Sequence, residues 1–118
     1  MAANPVRPAE LKLEPQKNAS DITVRATGRI TSSTTHVLES TLRDLVSANK
    51  RVVLDLTGVD YIDSSGLGAL VSVYMHASKA QCELEIANPK PRVRDLFKLS
   101  RLADVFEGHE DFLGMTPD

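Results

Sequence analysis

Residues 51–71 read Arg-Val-Val-Leu-Asp-Leu-Thr-Gly-Val-Asp-Tyr-Ile-Asp-Ser-Ser-Gly-Leu-Gly-Ala-Leu-Val, and the period of their apolar positions changes part-way along. Over Arg51–Leu56, Val52, Leu54 and Leu56 share one face while Val53 and Asp55 share the other, the two-residue period of a strand. From Ser64 to Gln81 the spacing is helical, with Leu67, Leu70, Val71, Tyr74 and Ala77 on one stripe. A strand that turns directly into a helix is the building unit of an α/β domain. In open α/β sheets, ligands and partners meet the domain at that strand-to-helix junction.

The flanking sequence continues the alternation. Leu11 and Leu13 flank Lys12, and Ile22, Val24 and Ala26 alternate with Thr23, Arg25 and Thr27. The polar connector Gln16–Ser20 between them predicts a hairpin, with Gly28 ending its second strand. Val37, Leu38, Thr41, Leu42 and Leu45 predict a helix over Ser33–Asn49, following a Ser/Thr cluster suited to N-capping. Glu83–Ala87 reads as a strand and Pro89–Leu102 as a helix that turns Val93, Leu96 and Phe97 inward. Val105–Gly108 reads as a short last strand, with a helical turn near Phe112. The expected domain spans residues 11–114, with mobile ends at 1–10 and 115–118. Leu84 and Ile86 oppose Glu83 and Glu85, so these strands alternate where doubly covered strands would be continuously apolar. The prediction is a mixed, mostly parallel sheet with its helices mainly on one face, as crossovers advancing in one direction would give.

Composition narrows the function. At 118 residues there is room for one core. With 42% hydrophobic and 25% charged residues the chain is that of an ordinary globular domain. No stretch approaches the roughly 18 uninterrupted apolar residues of a membrane span. The first eight residues lack a signal-peptide core, and one cysteine, Cys82, cannot staple a fold, so the expected compartment is the cytoplasm. Four acids and no lysine or arginine follow position 106, which leaves 14 lysines and arginines against 12 acidic residues, or +2, over residues 1–106. A nearly neutral body with five aromatics and no tryptophan argues against nucleic-acid binding.

At the junction itself, Asp63 or Ser64 can cap the helix, which leaves a serine hydroxyl exposed at the positive end of the helix dipole. Gly66 and Gly68 each cost roughly 1 kcal/mol against alanine inside a helix, so close approach to the sheet or to a partner must offset them. Familiar serine and phosphate motifs do not fit. No lysine follows Gly68 as a Walker loop requires, and a dinucleotide fingerprint would need a third glycine. Ile62 stands where a hydrolase elbow has its first glycine, and His36, His76 and His109 share no motif with Ser64. The histidines also lack metal-site spacing, so neither a catalytic site nor a metal or cofactor is expected.

Asp63-Ser64-Ser65-Gly66-Leu67-Gly68 after the strand Val-Val-Leu-Asp-Leu closely resembles the signature of STAS-domain proteins. Within them it looks most like the stand-alone anti-sigma factor antagonists of bacteria. The resemblance runs from about Leu11 to Leu113 and includes the Leu-Phe-Lys-Leu-Ser-Arg-Leu segment ending at Leu102. It implies a single STAS-type domain that binds an anti-sigma factor serine/threonine kinase and thereby frees a sigma factor. It further implies that the kinase phosphorylates Ser64, that the modified protein lets go, and that a phosphatase acting on the phosphoserine restores it. Asp63, Ser65, Gly66, Leu67 and Gly68 would join Ser64 in contacting the partner. Many antagonists carry an acidic residue after the second strand's glycine, whereas this sequence departs from that pattern with Gly28-Arg29-Ile30-Thr31; Arg29 and Thr31 are candidate auxiliary contacts. Arg94, Lys98 and Arg101 fall on one helical face, either as a solvated surface or as a further auxiliary contact. The expectation is a binding module, a monomer or weak dimer, that touches neither nucleic acid nor membrane. The alternative is a STAS subunit of a lipid-transport ABC complex or of a stress-signalling scaffold.

Overall fold

The computed structural model describes residues 11–19 and 21–99. Seven elements follow in order: β1 (Leu11–Asn18), β2 (Asp21–Ile30), α1 (Thr35–Ala48), β3 (Arg51–Ile62), α2 (Ser64–Lys79), β4 (Glu83–Ala87) and α3 (Pro91–Leu99). One sheet takes the spatial order β1-β2-β3-β4, antiparallel in the β1–β2 hairpin and parallel thereafter. Spatial order equals chain order, so every described crossover steps in the same direction. That places α1 and α2 over one face, and α3 joins them there, since all three helices contribute to a single apolar cluster with Val24, Leu54 and Ile86 of the sheet.

The alternation argument holds. Val52, Leu54, Leu56, Leu84 and Ile86 are buried beneath the helices, whereas Glu83 is exposed and Glu85 half-buried on the opposite face. On that open face Arg51 of β3 sits between three carboxylates of the two neighbouring strands, Asp21 of β2 and Glu83 and Glu85 of β4. It reaches Asp21 at 3.3 Å and Glu83 at 3.9 Å, and it hydrogen-bonds Glu85.

Several boundaries move. The hairpin pairs through Asn18↔Asp21, so its connector is shorter than the polar run Gln16–Ser20 suggests. Gly28 does not end β2. It lies within the strand at φ 120°, where the register with β3 shifts, and pairing continues to Ile30↔Ile62. Likewise β3 does not stop at Leu56 but runs to Ile62. Its twelve residues pair with the ten of β2 because two extra residues are absorbed at bulges, one between the Asp55 and Gly58 pairings and one at Asp60. Each bulge resets which side faces inward, so the buried series runs Val52, Leu54, Leu56, Val59, Ile62. Gly58 is needed at the first bulge, since a Cβ there would stand 2.9 Å from the Ala26 carbonyl oxygen.

The helices also differ in detail. The Ser/Thr cluster before α1 provides no side-chain cap: Thr34, at the N-cap, is buried and turns its hydroxyl the other way. Thr34 Oγ1 donates to the Arg29 carbonyl at 2.9 Å and accepts from Thr31 N at 2.9 Å, which folds the β2–α1 turn back on the strand. In α1, Leu38, Leu42 and Val46 are buried, and Val37, Thr41 and Leu45 are half-buried at the flanks. The buried stripe of α2 is Gly66, Ala69, Leu70, Val73 and Ala77, and Leu67, Val71 and Tyr74 are half-buried. Gly66, Ala69 and Ala77 in that stripe let the helix lie close to the sheet, with Leu70 and Val73 filling the space between them and Leu67, Val71 and Tyr74 at the margins. In α3, Val93 and Phe97 are buried and Leu96 half-buried. The predicted strand at 105–108, the turn near Phe112 and both chain ends lie outside the described residues.

One polar link ties β3 to the segment after β4. Asp55 Oδ1 accepts from Thr57 N at 3.0 Å, from Thr57 Oγ1 at 2.6 Å and from Asn88 Nδ2 at 3.2 Å. Partial burial pushes this carboxyl up, but those hydrogen bonds and the nearby Arg25 outweigh it, holding its pKa below the usual 3.8. A depressed folded-state pKa contributes stability that is present above the unfolded value and lost as pH falls through the folded one. Replacing Asp55 by alanine should therefore cost about 1 kcal/mol at neutral pH, limited by solvent screening. Urea midpoints of the two proteins should converge as pH is lowered below 3.8. A gap that stayed constant into strong acid would contradict this account.

Candidate functional site

After the second bulge β3 ends at Ile62 on the sheet's C-terminal edge, and only Asp63 separates it from α2. Asp63 is the N-cap, in extended backbone at φ −102° and ψ −174°, and its Oδ1 accepts from Gly66 N at 2.9 Å. That resolves the choice between Asp63 and Ser64: aspartate caps, and Ser64 and Ser65 are both exposed as the first two helical residues. The backbone N–H of Asp63 donates to the Ile30 carbonyl at 3.2 Å, which pins the helix start to the end of β2.

The two glycines have different reasons to be there. A Cβ on Gly66 would lie 2.4 Å from the Ile30 carbonyl oxygen and 2.8 Å from Ile62 Cγ2, so only glycine lets the first turn seat against the strands. Gly68 is exposed, and a Cβ there would meet nothing within 4 Å. Close approach to the sheet thus accounts for Gly66 and not for Gly68. Gly68 follows Ser64 by four residues, so the two share one helix face. Leu67 is half-buried between that face and the core.

The pairing of β2 with β3 brings Arg29 and Thr31 beside the motif. Arg29 lies opposite Tyr61, with its guanidinium carbon 4.9 Å from the ring centroid, and Tyr61 is exposed. Thr31 Oγ1 lies 3.1 Å from Ser33 Oγ and accepts from Ser33 N at 3.3 Å. Of the basic residues near and within α3, the one tied to this edge is Lys90, whose Nζ lies 2.5 Å from Asp60 Oδ1. That hydrogen bond and charge, with Arg29 behind them, lower the Asp60 pKa. Arg94 is half-buried and Lys98 exposed on α3; no described contact joins either to the serine motif, and Arg101 lies outside the described residues. Sequence reasoning missed Tyr61, Thr34 and the Lys90–Asp60 pair. Two of these left a signal: Tyr61 as an aromatic next to the motif on an unassigned stretch, and Lys90 as the first of five basic residues within twelve positions.

No histidine hydrogen-bonds to Ser64 among the described residues, and His76 lies twelve helical residues away, about 18 Å along α2. Among the described residues no group of three or more metal-binding side chains converges, and no helix is long and apolar enough to cross a membrane. What the edge offers is an exposed serine hydroxyl on a capped, positively polarised helix start, framed by an arginine, a tyrosine and a threonine turn.

Comparison with known proteins places this architecture. A family described as "Mlab, STAS domain" matches residues 13–113. The chain belongs to the STAS-domain family. Among curated relatives it is 36% identical over 80 residues to a Bordetella bronchiseptica protein named putative anti-sigma factor antagonist BtrV, covering 67% of this chain and 69% of that one. It is 28% identical over 97 residues to the anti-sigma-B factor antagonist of Bacillus subtilis, covering 82% and 89%. Among solved structures, the unphosphorylated anti-sigma factor antagonist SpoIIAA matches over 91% of this chain and 90% of its own, at a TM-score of 0.70 and 14% identity. The fold expected from the sequence is thus the fold observed.

The glycine geometry makes a paired prediction. Gly66→Ala should lower stability by about 1–3 kcal/mol, because backbone would have to move. Gly68→Ala should raise it by up to about 1 kcal/mol. Thermal melts of the two variants beside the parent protein read both signs, and equal effects would refute the distinction.

Proposed function

We propose that the STAS domain described here is an anti-sigma factor antagonist that binds an anti-sigma factor serine kinase and so releases the sigma factor. Phosphorylation of Ser64 by that kinase ends the interaction, and a phosphatase restores it. The observation that carries this reading is the exposed Ser64 hydroxyl at the first residue of α2, with the capping role already taken by Asp63. Asp63, Ser65, Gly66, Leu67 and Gly68 shape the surface that the partner meets. The protein works in the cytoplasm as a monomer or weak dimer, and as a binding module without catalysis of its own.

The energetics favour a switch that acts on the interface and not on the fold. A phosphate on Ser64 adds about −1.5 to −2 charges. The helix N-terminus favours that charge by roughly 0.3–1 kcal/mol, and the neighbouring Asp63 carboxylate opposes it. The two local effects partly cancel, so the domain stays folded. It is consistent that SpoIIAA solved in its phosphorylated form still matches this chain at a TM-score of 0.66. Across an interface, a new charge facing an unsuited surface costs several kcal/mol. About 3 kcal/mol would weaken binding on the order of a hundredfold.

The test uses recombinant serine-kinase anti-sigma factors from the same genome, with ATP and mass spectrometry of the motif peptide. Phosphate is expected on Ser64, with Ser65→Ala still modified. Ser64→Ala should bind the kinase and escape release, and Ser64→Asp should bind weakly. Phosphate confined to Ser65, or tight binding by Ser64→Asp, would refute the switch. Capture of a transporter ATPase in place of a kinase would favour the lipid-transport alternative.

A further inference from the structure

Arg29 and Tyr61 form an ordered pair on the rim of the serine site that the fold itself does not require. They are cross-strand partners, one step before Ile30↔Ile62, and the Ile30 carbonyl holds the Asp63 N–H. The bulge at Asp60 turns Tyr61 outward, where it is 39% exposed and is one of two large exposed hydrophobic side chains among the described residues. Arg29 is fixed from two sides. Its carbonyl accepts from Thr34 Oγ1 at 2.9 Å, and its guanidinium lies over the Tyr61 ring at 4.9 Å. Among the described residues no ion pair or hydrogen bond takes up its side-chain donors. Asp60, the carboxylate that senses its charge, is hydrogen-bonded to Lys90 at 2.5 Å.

We infer that the Arg29–Tyr61 pair is a specificity anchor that receives a carboxylate-bearing side chain of the partner protein, an inference that rests on the reading of Ser64 as the centre of the interface. A guanidinium presents N–H donors in a planar fork that matches a carboxylate, and stacking on the ring holds the fork in place before binding. Little side-chain entropy is then lost on association. Arginine and tyrosine are also the residue types that most often carry interface energy. The pair lies at the sheet edge from which α2 starts, with Tyr61 three residues before Ser64 in the chain, so one partner surface laid on that edge covers both.

A guanidinium could also take the phosphate of phosphorylated Ser64 within the same chain, and the experiment separates the two sources. Affinities of the full, unphosphorylated chain for the purified kinase identified above are measured at low and high salt. The variants are Arg29→Ala, Arg29→Lys, Tyr61→Ala and Tyr61→Phe, with Ser64→Asp as a control and thermal melts to confirm folding. Arg29→Ala and Tyr61→Ala should each weaken binding about tenfold. Arg29→Ala should also flatten the salt dependence, because a charge pair is lost. Arg29→Lys should keep the salt dependence and lose part of the affinity, and Tyr61→Phe, which keeps the ring face, should bind like the parent. Parental binding by Arg29→Ala and Tyr61→Ala, beside weak binding by Ser64→Asp, would overturn the anchor and leave the serine switch standing. That result with an altered Arg29→Ala response only after phosphorylation would assign the guanidinium to the phosphate. Undiminished binding by Ser64→Asp, or no binding by the parent protein, would overturn the underlying reading and the anchor with it.

Discussion

The carbonyl of Ile30 is the point on which the geometry of the serine edge turns. It accepts the Asp63 N–H at 3.2 Å and lies where a side chain on Gly66 would otherwise begin. Those contacts fix both the position and the tilt of the first turn of α2 relative to the sheet. With the turn seated, Asp63 is left in extended backbone with its carboxylate free to cap, and Ser64 has no inward direction to take. Exposure of the serine is thus a consequence of packing beneath it. A larger residue at position 66 would lift the helix start and loosen the cap and the strand contact together.

Two bulges make that seating possible. Without them, the strict alternation of β3 past Leu56 would turn Gly58 and Asp60 inward and Val59 outward. The first bulge changes parity, which buries Val59 and turns Asp60 to solvent, and the second restores it, so that Tyr61 faces solvent and Ile62 is buried. The same irregularity lengthens β3 so that it ends level with Ile30. The serine motif and the Arg29 edge of β2 therefore reach one rim, although about thirty residues separate them in the chain.

How much could be read in advance follows from the same feature. The strand over Arg51–Leu56 and the single-faced sheet were legible because strict alternation leaves a two-residue period. The remainder of β3 was not, because a bulged strand has no fixed period and Thr57-Gly58 reads as an ending. Gly28 misled in the same way: its φ of 120° serves a register shift inside a strand, which sequence cannot distinguish from a turn. Ser64 was legible through its motif and its place between strand and helix. The role of Thr34 was not, since a threonine before a helix is ordinarily a cap, and only tertiary structure shows it bonded to Arg29. For α2, helical spacing fixed the element and placed Leu70 and Ala77 correctly, but it favoured Leu67, Val71 and Tyr74 where packing on the sheet selected Gly66, Ala69 and Val73.

The site therefore divides into a part that the fold accounts for and a part that it does not. Gly66, Asp63 and Ile62 have internal reasons for their identities: close approach, capping and burial. Gly68 and Tyr61 have none of comparable strength. One is a helix-interior glycine over open space, and the other is an exposed aromatic carrying a cation on its face. A stability cost of roughly 1 kcal/mol at Gly68 is small but is not recovered within the described chain. These two residues stand on either side of Ser64 in the chain, Tyr61 at the end of β3 and Gly68 one helical turn on, which is the arrangement expected of a surface shaped by what lands on it. The rigid inner residues hold the serine still, and the unexplained outer ones define the footprint of the proposed partner.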